Sequence, residues 1–142
     1  MSASDQLRLG TKKVLTLEAA KVIAASAAEE AIKNKWNMAI CVTDDGGFPI
    51  YLERMDGTQV ASVEVAQEKA STAARFKRST KILEDAVLGG RTVLLKIPGA
   101  TPIEGGLPIV VSGEVIGAIG VSGGTSVQDG QVAAAGLSAV TG

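Results

Sequence analysis

The sequence predicts an α+β domain in which helices pack on an antiparallel sheet, in the order helix, hairpin, helix, loop, hairpin, helix. Three observations predict it. Two short apolar runs are each followed by a turn signal and a returning apolar run, the mark of a β-hairpin. Around them lie stretches with apolar or small residues at helical spacing. No strand–helix–strand crossover pattern occurs, so the strands are expected to pair antiparallel.

Each element has its own warrant. Residues 1–14 are polar and mixed and are expected to form a flexible arm, leaving residues 15–142 as one domain. Thr16 reads as an N-cap, with Glu18 in the first turn where the helix dipole favours an acid. From Leu17 to Lys33, Ala20, Ile23, Ala24, Ala27, Ala28, Ala31 and Ile32 mark one buried face, and Asn34 ends the helix. Met38 to Val42 is a continuous apolar run suited to a central strand. Asp44-Asp45-Gly46-Gly47 is the turn, and Phe48 to Arg54 returns. Pro49 near the start of that return suggests an edge position.

A second helix is expected over Ala61 to Phe76, with a smooth face of Val63, Ala66, Ala70, Ala73 and Ala74. A short third helix runs from Thr80 to Val87 and stops at Gly89-Gly90. Lys96 to Pro108 is a loop rich in Pro and Gly. The second hairpin joins Pro108–Val111 to Val115–Val121 through Ser112-Gly113-Glu114. Gly117 and Gly120 in its return strand leave room for a neighbouring backbone or a flat ligand. Ser126 with Asp129 reads as a capping box for a terminal helix over Val127 to Val140.

Composition narrows the chemistry. A chain of 142 residues that is 46% hydrophobic can bury a core without disulfides. Its single cysteine, Cys41, has no internal partner. The chain has no histidine, which removes Ser-His-Asp and Cys-His catalysis and His-ligated zinc or haem. Aromatic residues are only 3% and the net charge is −1, so neither base stacking nor a basic stripe points to nucleic acid. The cluster Lys77, Arg78 and Lys81 reads as a solvated helix end. No apolar stretch approaches the ~20 residues that span a bilayer. Without a signal pattern near the first residue, a cytoplasmic location is expected.

Several groups are candidates for a site. Glu104, in the apolar setting of Thr101-Pro102-Ile103-Glu104-Gly105-Gly106, is a candidate general base, because such surroundings raise a carboxylate pKa. Arg54 and Asp56 flank a turn, where Arg54 can hold an anion in a fork while Asp56 bonds backbone N–H groups. Glu64 and Glu68, four apart on a helix, are a candidate weak metal pair, or form a surface ion-pair cluster with Lys69. Lys69 is also a candidate cation for a carboxylate ligand. Ser122 and Gly123 precede a helix N-terminus whose N–H groups can hold a carboxylate. The spacing Gly117-x-x-Gly120-x-x-Gly123 lacks the strand–turn–helix setting of a dinucleotide loop, and no Walker lysine follows it.

Leu15-Thr16-Leu17-Glu18-Ala19-Ala20, Val42-Thr43-Asp44-Asp45-Gly46-Gly47, Glu53-Arg54-Met55-Asp56-Gly57, the helix Glu64 to Phe76, Gly105-Gly106-Leu107-Pro108-Ile109 and Gly117-Ala118-Ile119-Gly120-Val121-Ser122-Gly123 occur in this order. Together they resemble the GlcG/HbpS family of haem-degrading domains, which includes the C-terminal domain of PduO-type corrinoid adenosyltransferases. The resemblance covers about residues 15–140. It implies a five-stranded antiparallel sheet flanked by helices, assembled into homo-oligomers, with haem binding or iron handling in some members. It also links Thr101 to a loop ligand of the streptomycete members. Where some members use a histidine near the first helix, this chain has none, which leaves Cys41, Tyr51, Met55 and Thr101 as iron-ligand candidates.

The expectation is therefore a binding protein for haem, a related tetrapyrrole or a small anion. Its pocket would lie between helices and the Pro-Gly loop at a subunit interface, lined by Arg54, Thr101, Pro102, Gly105 and Gly106. A second expectation is a cofactor-free lyase or isomerase with Glu104 as base and Arg54 or Lys69 holding a carboxylate. A third is an accessory assembly module whose Ala66, Ala70 and Ala73 face contacts another subunit.

Overall fold

A computed structural model describes residues 6–140 of the chain. The first five residues of the expected arm, and the last two of the domain, lie outside the described residues. Residues 9–14 are exposed. Lys12 donates to Asp45 at 2.9 Å and Lys13 to Ser112 at 3.2 Å, so this stretch meets the turn of each hairpin.

Helix α1 spans Leu17–Lys33, with the Thr16 hydroxyl accepting from the Ala19 N–H. Strands β1 (Ala39–Asp44) and β2 (Pro49–Arg54) form the first hairpin. Helix α2 (Ser62–Phe76) and helix α3 (Thr80–Leu88) follow, and then a 3-10 turn at Thr92–Lys96. Strands β3 (Gly106–Val111) and β4 (Glu114–Ser122) form the second hairpin, and helix α4 (Ser126–Leu137) closes the fold.

The sheet is antiparallel throughout, in the order β2-β1-β4-β3. The two hairpins join through β1 and β4, and the strand bearing Pro49 stands at an edge, as its missing N–H requires. The fifth strand implied by the resemblance is absent among the described residues. Thr92–Lys96 winds into a 3-10 turn, and residues 9–16 lead into α1 with no strand assigned.

The sheet separates two unlike layers. Ile40, Val42, Ile109, Ile119 and Val121 face α1 and α4, where they meet Ile23, Ala27, Val132 and Ala133. The opposite face carries Ala39, Cys41 and Ala118 against Ala66, Ala70, Ala73 and Ala74 of α2. Here almost nothing separates helix from sheet. A Cβ on Gly120 would collide with the Ala66 carbonyl, and one on Gly106 with the Lys69 carbonyl. The space left by Gly120 is thus filled by a neighbouring backbone. This also corrects the expected subunit contact: Ala66, Ala70 and Ala73 are fully buried inside the chain.

The cap of α4 differs from expectation by one residue. Thr125 is the N-cap, and Gln128 completes the capping box. Asp129 is drawn away from capping by a buried lysine.

Candidate functional site

That lysine is Lys69. It sits on the alanine face of α2 and is 1% exposed. Its ammonium donates to Asp129 Oδ2 at 2.9 Å and to the Val121 carbonyl at 3.0 Å. Asp129 Oδ1 accepts the Gly124 N–H at 2.9 Å. Burial pushes the Asp129 carboxyl above its ordinary range, against the pull of Lys69 and the Gly124 N–H. One ion pair therefore ties α2, β4 and α4 together. The expected surface cluster is corrected accordingly: Glu64 and Glu68 are exposed, while Lys69 faces inward and is committed to Asp129. Among the described residues, no group of three His, Cys, Asp or Glu side chains could hold a metal.

The Pro-Gly loop lies flat on the body. The Thr101 N–H donates to the Thr72 hydroxyl at 2.9 Å, and the Gly106 N–H to the Thr80 hydroxyl at 2.9 Å. Gly105, at φ +133°, packs on the Lys69 side chain and the Val121 carbonyl. The Glu104 N–H reaches Glu84 at 3.3 Å, and the Glu104 carboxylate covers Gly130 of α4. Thr101 and Pro102 are half-buried, and Ile103 is exposed. Neither Arg54 nor residues 101–106 line any of three cavities of the single chain, of about 460, 370 and 310 Å³, whereas the expected pocket was placed at a subunit interface.

Arg54 and Asp56 are instead exposed at the far end of the sheet. The ladder puts Arg54, Ala39 and Ser122 in one row across three strands. Gly57 and Gly123 border a polar depression there of about 370 Å³. The N–H groups expected to hold an anion after Ser122 are already engaged: Gly124 donates to Asp129 and Thr125 to Gln128.

A second cavity, about 460 Å³, lies at the N-terminal end of α1. It is an apolar groove walled by Leu15, Val22, Ile23, Ile109, Ile116 and Val140, with Thr16 and Glu18 at its side. No local stretch signals it, because its walls come from α1, both strands of the second hairpin and the residues after α4. The iron-ligand candidates stand elsewhere. Cys41 is fully buried, and burial pushes its thiol up to about 12. Tyr51 and Met55 pack partly buried against the core. The nearby Glu53 carboxylate, with burial, raises the Tyr51 hydroxyl. No helix of the described residues is long and apolar enough to cross a membrane.

Comparison with known proteins returns a consistent set. A family model described as haem degrading protein HbpS-like matches residues 15–138. Protein GlcG of Escherichia coli is 46% identical over 112 residues, covering 79% of this chain and 84% of that protein. The crystal structure of a Streptomyces reticuli HbpS double mutant, two glutamates changed to aspartate, superposes with a TM-score of 0.86. It is 34% identical and covers 94% of this chain and 91% of its own. A PduOC:haem complex superposes at 0.80 with 27% identity, covering 89% of this chain and 95% of that one.

Proposed function

Since the chain belongs to the HbpS-like family, we propose that it binds haem or a related tetrapyrrole and works as a homo-oligomer. The observation that carries the reading is the fold shared with the PduOC:haem complex over 89% of this chain. Within this chain, the groove beside α1 is the surface whose chemistry suits such a ligand. Its aliphatic walls can cover a flat macrocycle by removing apolar area from water. Thr16 and Glu18 supply its oxygen donors, and Cys41 is too deeply buried to take part. Haem iron in this groove would be held through oxygen, as by a carboxylate, or through exogenous water. When bound, haem would supply redox chemistry; the chain's own part is to shield the ring and orient it.

The homo-oligomer is supported by apolar side chains with no cover in the single chain. Leu88, Val93 and Leu95 are 79%, 64% and 61% exposed on α3 and the 3-10 turn, a density that soluble monomers seldom leave in water. The lyase reading gains no such support, since Glu104 shares no cavity with Arg54 or Lys69.

Titration of ferric haem with the purified protein tests the proposal. A saturable Soret shift with a defined stoichiometry is expected, and Ile116→Asp should abolish it while far-UV circular dichroism stays unchanged. An unshifted Soret band at micromolar protein, or an Ile116→Asp protein that binds as well as the parent, would overturn it.

A further inference from the structure

The polar depression at the far end of the sheet has a composition of its own. Lys35, Trp36, Asn37, Gln59 and Gln128 line it beside three glycines. Five side chains here carry N–H donors, and none is a carboxylate. No ion pair to Lys35 occurs among the described residues. Gln128 spends its carbonyl oxygen on the Thr125 N–H, which leaves its amide protons free to point elsewhere. Asp129 lies behind Gly124, but its charge is already matched by Lys69. A hollow with one cation, several N–H donors and no carboxylate suits an anionic ligand.

The backbone around the hollow is also shaped for it. Lys35 has φ +61°, Gly57 +84° and Gly123 +144°. Lys35 is held in this left-handed form by its N–H to Ile32 and by the Trp36 N–H to Ala31. The end of α1 thereby turns a cation and the chain's one tryptophan toward the same hollow. A lysine in that conformation is uncommon, and glycine or asparagine is the usual occupant.

We propose that this depression binds a small ligand bearing a carboxylate, with Lys35 as counter-ion, the amides of Asn37, Gln59 and Gln128 as donors, and Trp36 against its flat face. One cation matches one negative charge, so a carboxylate is favoured over a phosphate dianion. The site is separate from the haem groove and does not depend on it.

Trp36 makes the test direct. The full-length protein is titrated with propionate, with its uncharged analogue propionamide and with inorganic phosphate, at low salt, following tryptophan fluorescence and, in parallel, heat by calorimetry. Propionate should give a saturable signal in the millimolar range, and propionamide and phosphate should bind roughly tenfold or more weakly. Lys35→Asn removes the charge yet tolerates the backbone, and should weaken propionate by a similar factor with the circular dichroism unchanged. Absence of a saturable response to propionate by either readout overturns the proposal, as does equal binding of propionamide, tighter binding of phosphate, or full retention in Lys35→Asn. Haem binding is expected to persist in Lys35→Asn, so failure here and failure of the haem reading are distinguishable.

Discussion

Lys69 shows how one side chain can organise a domain and still cost it stability. Burying two charges removes their hydration, and their mutual attraction only partly offsets that loss. The raised Asp129 carboxyl is the sign of this. Its contribution to stability is greatest below the ordinary carboxylate value of 3.8 and falls as pH rises through the elevated value. Lys69→Met alone leaves Asp129 unpaired and should lower unfolding free energy by about 3–5 kcal/mol at neutral pH. Adding Asp129→Leu should restore most of the loss, which urea unfolding of both variants measures. The sequence carried a readable hint: Lys69 falls at helical spacing among Ala66, Ala70 and Ala73, on the face that had to be inside. A charge is normally read as solvated, and only its partner from sixty residues away makes burial tolerable. Cys41 makes the converse case, because its place in the apolar run Met38 to Val42 already pointed to the core, whatever its sulfur could ligate. Its thiol titrates near 12 when folded against 9.0 ordinarily. Stability from keeping it neutral is present below pH 9 and lost as pH climbs toward 12. Cys41→Ala should flatten the alkaline fall in stability, and native protein should resist iodoacetamide at pH 8 until urea unfolds it.

At the scale of elements, the reading from sequence was sound wherever local signals decide. The bounds of α1 follow from Thr16 and Asn34, and the first hairpin from its Asp-Gly turn, whose Asp44 carboxylate accepts from the Gly46 and Phe48 N–H groups. Strand number did not follow, because an extra strand depends on whether a distant segment finds a free edge. The capping box slipped by one residue for the same reason: Asp129 had a partner in α2 that sequence spacing cannot reveal. The contact of α2 with the sheet carries its own prediction. Gly120→Ala forces a methyl into the Ala66 backbone, and helix and sheet must part to admit it. A loss of about 3 kcal/mol is expected from chemical denaturation. Ala118, which already carries a methyl on the same strand face, marks where the gap widens toward Ala73 and Ala74.

For the whole molecule, the family and the α+β plan were legible because their motifs lie along the chain, while the site was not. The loop of Thr101, Pro102, Glu104, Gly105 and Gly106 looked like a cavity wall because proline and glycine fix unusual angles. Within the single chain those angles seat the loop on α2 and α3, bonded to Thr72 and Thr80. The apolar groove and the polar depression both draw on residues far apart in sequence. Assembly is the prediction proper to this scale. Light scattering behind size exclusion should give a mass above 14.4 kDa for the parent, and the double variant Val93→Asp, Leu95→Asp should shift it toward that of one chain.

The glycine-mediated seating of α2 has one more consequence. Where main chain rests on main chain there is scarcely any empty volume to collapse, and hydrostatic compression unfolds proteins by eliminating such voids. Squeezed in a high-pressure cell, this domain should yield first along α1 and α4, whose amides would lose protection from deuterium while those of α2 and β4 keep theirs.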